Sequence, residues 1–350
     1  MIAGLIIVLA LIFVLPFAFH KVEHNLEIFL MTMGIAATII SSTLSLDLAV
    51  EILENHLLYF ITIAVLVAGL IFRVSVDKIK KMVHFATVRI PLPIFLFFLI
   101  VILGLISSII TAIITALILV EIVHALSLKH EYKVKLTIIA CFSIGLGAAL
   151  TPLGEPLATI VVSSLDADFF YLLKNIGPYA IPCIIALGII GAIFIKEDKV
   201  GGLENESTAD VMSEEDNVVK IESLQEVFIR AIKVFIFVVS LELLGAGFKP
   251  LIDEYIIHLH SGVLYWINMS SAVLDNATLA AAEISPEMTV KQIQAILMGL
   301  LISGGMLIPG NIPNIISAGK LNIKSREWAK TGVPLGLLLL MVFFVIIFVL

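Results

Sequence analysis

Two prolines four residues apart, Pro152 and Pro156, with Gly154 between them, interrupt an otherwise apolar stretch of this chain. The same spacing returns at Pro309 and Pro313. A regular helix cannot run through such a segment, because each proline lacks a backbone donor and its ring clashes with the preceding turn. The match extends beyond the prolines. Gly147 stands five residues before Pro152, and Gly304 stands five before Pro309. Ser107-Ser108 precedes the first interruption as Ser270-Ser271 precedes the second. Order and spacing together favour two related halves, each with a broken helix, over two unrelated kinked helices.

The medium around these breaks follows from composition. Hydrophobic residues make up 60% of the chain and charged residues 14%, with a mean hydropathy of +1.14. Soluble domains carry about 25% charged residues. Lipid is the solvent that accommodates so apolar a chain, and apolar runs of about 20 residues, the length that crosses a bilayer, recur along it. The first 19 residues are apolar, without a basic leading region or a small-residue cleavage site, and are expected to form a first transmembrane helix. Cys141 and Cys183 fall in apolar segments and read as buried small hydrophobes, with no bearing on redox compartment.

The net charge of −7 is local. Between Lys196 and Ser223 lie nine acidic residues against three basic ones, with Gly201-Gly202 among them. This polar stretch reads as a solvated linker, 196–223, between a first half (1–195) and a second half (224–350). No basic patch with interleaved aromatics suggests nucleic acid.

The first half is expected to hold helices at about 1–19, 26–46 and 56–72. A basic stretch follows (Arg73, Lys78, Lys80, Lys81, Arg89), then an apolar run from Pro93 to Leu126, then a second basic stretch (Lys129, Lys133, Lys135). Excess positive charge marks the cytoplasmic side, so both stretches belong inside. A run of this length between them is too short for two full spans. It suits a re-entrant hairpin, about 93–126, that turns around Ser107–Thr111, which is tolerated where protein or a water-filled cavity covers it. The broken helix follows at about 134–165, and a helix at 168–195 returns to the cytoplasmic side. The linker is therefore expected to be cytoplasmic. The second half repeats the plan: a helix at about 224–246, an amphipathic piece at about 249–260, a hairpin at 261–284, a broken helix at about 292–318 and a last helix at 331–350. Counting passes puts the second hairpin's entry on the outer side. The expected fold is an all-α integral membrane protein of two inverted-topology repeats, each with a re-entrant helical hairpin and a discontinuous transmembrane helix, a pattern common in transporters.

Freed backbone groups at membrane depth need partners, and a bound ion or substrate can supply them. Helix N-termini favour anions; C-termini and free carbonyls favour cations. Side chains narrow the choice. Glu155 sits inside the first break, and Asp275 sits in the second hairpin with Asn276 and Thr278 beside it. Carboxylate, amide and hydroxyl oxygens suit hard cations. Burial disfavours a charged carboxylate, so such a group can also carry a proton. One residue able to hold either is the minimum for antiport. The bland readings are a cap-like carboxylate for Glu155 and an Asp-Asn turn for Asp275. Thr111, Thr115 and Thr151 in the first half, and Asn311 and Asn314 in the second, are further candidate ligands, although threonines in membrane helices often bond their own helix. Glu121, His124, Glu242 and Glu283 lie near helix ends and are expected to reach toward water. Arg230 and Lys233 are expected to meet lipid headgroups. No phosphate-binding loop, zinc-type histidine pair or serine nucleophile elbow appears, so neither an enzyme nor an ATP-driven pump is expected.

The segment Ser271-Ala272-Val273-Leu274-Asp275-Asn276-Ala277-Thr278 resembles the SAVxDN hairpin of NhaD-type sodium/proton antiporters. Thr151-Pro152-Leu153-Gly154-Glu155-Pro156 resembles their SPxGD break. The arrangement is similar to the ion transporter superfamily, which includes arsenite and dicarboxylate carriers, and looks closest to a group described as predicted cation transporters. The resemblance covers both halves. It implies ion or proton binding at Asp275 and Glu155, with Asn276 and Thr278 supporting, and a sodium site at Asp275, Asn276 and Glu155. It further implies sodium or lithium and protons as transported ions with no cofactor, a multi-pass protein of the cell membrane, and a homodimer. The sequence departs from the pattern twice. Family members often carry Asp-Asn in both hairpins, where this chain has Thr111-Ala112, and the break carboxylate is Glu rather than Asp. A cation-coupled anion or carboxylate carrier remains the alternative on the same scaffold.

Overall fold

The computed structural model describes residues 1–19, 22, 25–56, 58, 59, 62, 63, 66, 67, 69, 70, 74, 90–126, 128–195, 223–272 and 276–349. Among these residues the fold is all-helical, with no strand. The basic stretch from Arg73 to Arg89, nearly all of the acidic linker, and Asp275 lie outside the described residues.

The first helices are α1 (Ile2–Ala18), α2 (Leu26–Ser41) and α3 (Leu46–Glu54). The single helix expected over 26–46 therefore ends early. Ser42 takes a left-handed conformation, φ 62°, and closes α2 through bonds to Thr38 and Ile39 carbonyls. Ser45 then caps α3 by accepting from Leu48 N–H.

The apolar run after the basic stretch forms α4 (Leu92–Ile110) and α5 (Ala112–Ala125), packed together and joined at the single residue Thr111. The next pair is α6 (His130–Ala148) and α7 (Pro156–Ser164), separated by the residues the prolines mark. The helix expected over 168–195 is two, α8 (Tyr171–Asn175) and α9 (Gly177–Phe194), with Pro178 in the first turn of α9, where its missing donor is not needed.

α10 (Leu224–Leu251) begins at a capping box, in which Ser223 and Glu226 satisfy each other's backbone donors. It runs on through a π-helical segment, Ile252–Ile256, where a separate amphipathic piece is expected from sequence. Then come α11 (Ser261–Ile267), a 3₁₀ segment Asn268–Ala272 and α12 (Asn276–Glu283). α13 (Val290–Gly304) ends at the second break, a 3₁₀ turn at Ile308–Gly310 spans it, and α14 (Ile312–Lys320) resumes. α15 (Ser325–Phe348) starts earlier than the 331 expected, taking Arg326 and Lys330 into its first turns.

Among the described residues three helices, α4, α9 and α15, are long and apolar enough to cross a membrane. Their outward faces are apolar too. Ile94, Phe98, Ile102 and Ile109 are exposed on α4, Ile185, Ile189 and Ile193 on α9, and Leu338, Met341 and Val345 on α15. The three- and four-residue spacings draw one continuous apolar stripe on each helix. Contiguous exposed apolar surface of this kind marks a membrane or protein contact and fits a protein of the membrane.

Helix packing falls into matched pairs. α4 packs on α6, and α11 on α13. α9 covers α4 and α6, and α15 covers α11 and α13. The second members cross over: α5 packs against α14, and α12 against α7. A further layer is built on α2 against α10, with α1 beside both.

Candidate functional site at two helix interruptions

The first break is a folded element. Thr151 Oγ1 donates a short hydrogen bond to the Ser108 carbonyl and accepts from Leu153 N–H at 3.3 Å. Thr159 Oγ1 donates to the Pro152 carbonyl at 2.7 Å, and Ala112 N–H donates to the Gly154 carbonyl at 2.8 Å. The α4–α5 junction and the break are thus tied backbone to backbone, and carbonyls freed by the prolines find donors within the protein. Close approach requires glycine here. A Cβ on Gly147 would collide with the Gly104 carbonyl, and one on Gly154 with the Ala148 carbonyl.

Glu155 occupies the N-cap of α7 in extended conformation (φ −154°, ψ 160°) and is 5% exposed. Its side chain makes no cap hydrogen bond to α7. Thr111, at φ 76° and ψ 150°, lies in a region that essentially only glycine occupies freely. Its carbonyl accepts from Thr115 Oγ1 at 2.8 Å, so Thr115 bonds its own helix as threonines in membrane helices often do.

The second break is built around Asn314. This fully buried side chain donates through Nδ2 to the Gly304 carbonyl at 2.8 Å and the Leu307 carbonyl at 2.9 Å. Both amide hydrogens are then committed, and Oδ1 has no partner among the described residues. Asn311 is the N-cap of α14, with Oδ1 accepting from Ile312 N–H at 2.8 Å. Its Nδ2 lies 2.8 Å from the place a Cβ would take on Gly145. That contact brings the second break against the last turns of α6. Cys141 reinforces the approach by donating to the Pro313 carbonyl at 3.6 Å, and Gly305 packs against the Phe142 ring. The second break therefore packs against the last turns of α6, the helix that leads into the first break.

Asn276 opens α12 and is 3% exposed. Its Nδ2 has no hydrogen-bond partner among the described residues and lies 3.7 Å from the Cβ position of Gly304, with Ser271 Oγ nearby. Asp275 and the side chain of Thr278 lie outside the described residues. Of the candidates drawn from sequence, Glu155, Thr151 and Thr111 gather at the first break, and Asn276, Asn311 and Asn314 at the second.

Two acidic residues differ from expectation. Glu283 is 8% exposed and accepts from Asn268 Nδ2 at 2.8 Å. Glu242 accepts from Asn55 Nδ2 at 3.1 Å and, in a short bond, from Ser163 Oγ. Both bond inward rather than reaching to water. His124 is exposed, as expected near a helix end. Lys233 pairs with Glu27 at 2.6 Å, and the Arg230 side chain lies outside the described residues. Asn268 was not legible as a site residue: nothing in sequence pairs it with a glutamate 15 positions on. Among the described residues no three His, Cys, Asp or Glu side chains gather as a metal cluster.

Fold and site together define an all-helical protein with outward apolar helices and buried polar side chains at two interrupted helices. The chain belongs to the family described as Protein of unknown function (DUF1646), whose model matches residues 2–350. Comparison with curated proteins finds no match.

Proposed function

We propose that this chain is a secondary active transporter, a sodium- or lithium-for-proton antiporter of the cell membrane that works by alternating access. In this reading it is a multi-pass protein of two inverted-topology repeats, 1–195 and 224–350, joined by a cytoplasmic linker at 196–223. Each repeat contributes a re-entrant hairpin (α4–α5, α11–α12) and a discontinuous transmembrane helix (α6–α7, α13–α14). It acts as a homodimer in the bilayer and needs no cofactor.

The observation that carries the reading is the crossed packing, α5 on α14 and α12 on α7, around two buried helix breaks. Repeats related by a two-fold axis would exchange partners in this way, and transporters of inverted repeats place their sites at such breaks. In this reading Glu155 supplies a carboxylate at the first break, Asp275, the sequence neighbour of Asn276, supplies a second, and Asn276, Thr278, Thr111, Thr151 and Asn311 are the neutral ligands assigned with them.

Exchange follows from electrostatics. A bare carboxylate inside the membrane costs about 3 kcal/mol on insertion scales. Crossing with the site empty would then be disfavoured about 100-fold relative to crossing with a proton or cation bound, since each 1.4 kcal/mol is a factor of ten. Proton and cation compete for the same oxygens. Loading one releases the other, which couples their movements. The helices around the breaks move as a unit against the layer of α2 and α10.

The test uses proteoliposomes with an enclosed pH dye and an imposed proton gradient. Sodium or lithium should dissipate the gradient in wild type and fail to do so in Glu155→Gln or Asp275→Asn. Uptake of a carboxylate or other anion that survives both substitutions, without a cation response, would overturn the antiporter reading in favour of an anion carrier.

A further inference from the structure

We infer that Asn268 and Glu283 form a second binding site for a hard monovalent cation, between the two arms of the α11–α12 hairpin. The inference rests on the transporter reading only for the role of the site, since binding can be measured without transport.

The geometry starts from the Asn268 amide. Asn268 is fully buried in the 3₁₀ segment, and its Nδ2 donates both hydrogens, to the Leu264 carbonyl at 2.9 Å and to Glu283 Oε2 at 2.8 Å. Two acceptors on the nitrogen side fix the orientation of the amide, because the oxygen could satisfy neither. Oδ1 is therefore left without a donor, and it has none among the described residues. An orphan buried acceptor costs about 1–3 kcal/mol.

Among the described residues, the nearby hydroxyl hydrogens are committed elsewhere. Ser303 Oγ has one hydrogen and several backbone carbonyls to receive it, that of Asn268 at 2.8 Å among them, and Ser271 Oγ donates to the Leu300 carbonyl at 3.3 Å. The position is packed as well, since a Cβ on Gly299 would lie 3.1 Å from Asn268 Cβ. What remains is one carboxylate and one carboxamide oxygen, joined through a single NH₂ group and short of positive charge. Carboxylate and amide oxygens are the ligands of hard cations, and a cation beside Glu283 and Asn268 Oδ1 would meet both needs. An acidic side chain inside a membrane segment is expensive unless it serves such a function.

Glu283 lies seven residues beyond Asn276 on α12, about 10 Å along the helix. In the transporter reading the pair therefore stands between the second break and the outer surface. A cation held there would wait on the outer route and stiffen the hairpin by bridging its arms.

The experiment measures equilibrium binding of radioactive sodium to purified protein at alkaline pH, with the antiport assay run in parallel. In Glu155→Gln/Asp275→Asn, about one sodium per chain should remain bound, and adding Glu283→Gln should remove it. Asn268→Ala should weaken it at least tenfold. Glu283→Gln preserves the acceptor for Asn268 Nδ2, so a matching melting temperature separates lost binding from lost folding. Residual binding unchanged by Glu283→Gln, or no residual sodium in the break double variant, would overturn the site and leave the pair as a hairpin staple only. Retained binding without any ion exchange in wild type would support the site while sinking the antiporter reading.

Discussion

Ala112 donates its backbone N–H to the carbonyl of Gly154 at 2.8 Å. That bond joins the turn between two helices to the middle of a helix break more than 40 residues later in the chain. It forces backbones together, and glycines make the approach feasible. Gly147→Ala would drive a methyl into the Gly104 carbonyl, and Gly154→Ala into the Ala148 carbonyl. Neither obstacle is a flexible side chain. Each substitution is expected to cost about 1–3 kcal/mol through overpacking. Gly319, on α14, has nothing within 4 Å of its Cβ position, and Gly319→Ala should stabilise by about 0.5–1 kcal/mol. Thermal melts of the three variants in one detergent check the contrast, and equal melting points would refute it.

Thr111 separates the cost of a backbone from the use of a side chain. Its φ of 76° with ψ of 150° costs about 1–3 kcal/mol for a residue with a Cβ. Its Oγ1 accepts only a long bond, 3.5 Å, from Ile114 N–H. Thr111→Gly should therefore leave the melting temperature unchanged or raise it. If Oγ1 is an ion ligand, as proposed, the same variant should weaken cation affinity about tenfold, equivalent to about 1.4 kcal/mol. A variant that is more stable and transports with unchanged affinity would remove Thr111 from the ligand set.

Asn314 poses the same question with the opposite sign. Its Nδ2 holds the Gly304 and Leu307 carbonyls, so Asn314→Ala strands two buried acceptors and should cost at least about 1–3 kcal/mol. Oδ1 has no partner among the described residues. If it contacts the transported cation, saturating sodium should raise the melting temperature of wild type, by mass action worth about 2.7 kcal/mol at 100 times Kd. The sodium increment should shrink or vanish in Asn314→Ala. An increment of the same size in both proteins would restrict Asn314 to a structural role.

The breaks were legible because proline and glycine act locally: Pro156 and Pro313 stand in the first turns of α7 and α14, where sequence puts new helices. Other boundaries carry weaker marks. Ser42 ends α2 in a left-handed conformation that serine rarely signals, and the charges of Arg326 and Lys330 hide the first turns of α15, which begins at Ser325, from a hydropathy reading. The Asn268–Glu283 and Glu242–Ser163 pairs depend on how arms and layers register, which no local spacing encodes. Glu155 was legible as a residue at the break. That its side chain leaves α7 uncapped depends on the side chain's direction, which no local spacing encodes.

Ser163 and Glu242 give the test of motion. The hydroxyl at the end of α7 donates to the carboxylate on α10, and Asn55 donates to the same oxygen at 3.1 Å. This contact joins a broken helix to the layer formed by α2 and α10. In the proposed alternating-access cycle the two move relative to each other, and the contact would then break and re-form in each turn. A Ser163→Cys/Glu242→Cys protein bridged by a short bifunctional thiol reagent should stop exchanging ions. Cleavage of the bridge should restore exchange to the rate of the unbridged double variant. The native Cys141 and Cys183 are buried, so the same reagent should leave wild type active. Exchange that continues at full rate in the bridged protein would mean that α7 and α10 move together, and the moving unit would have to be drawn elsewhere.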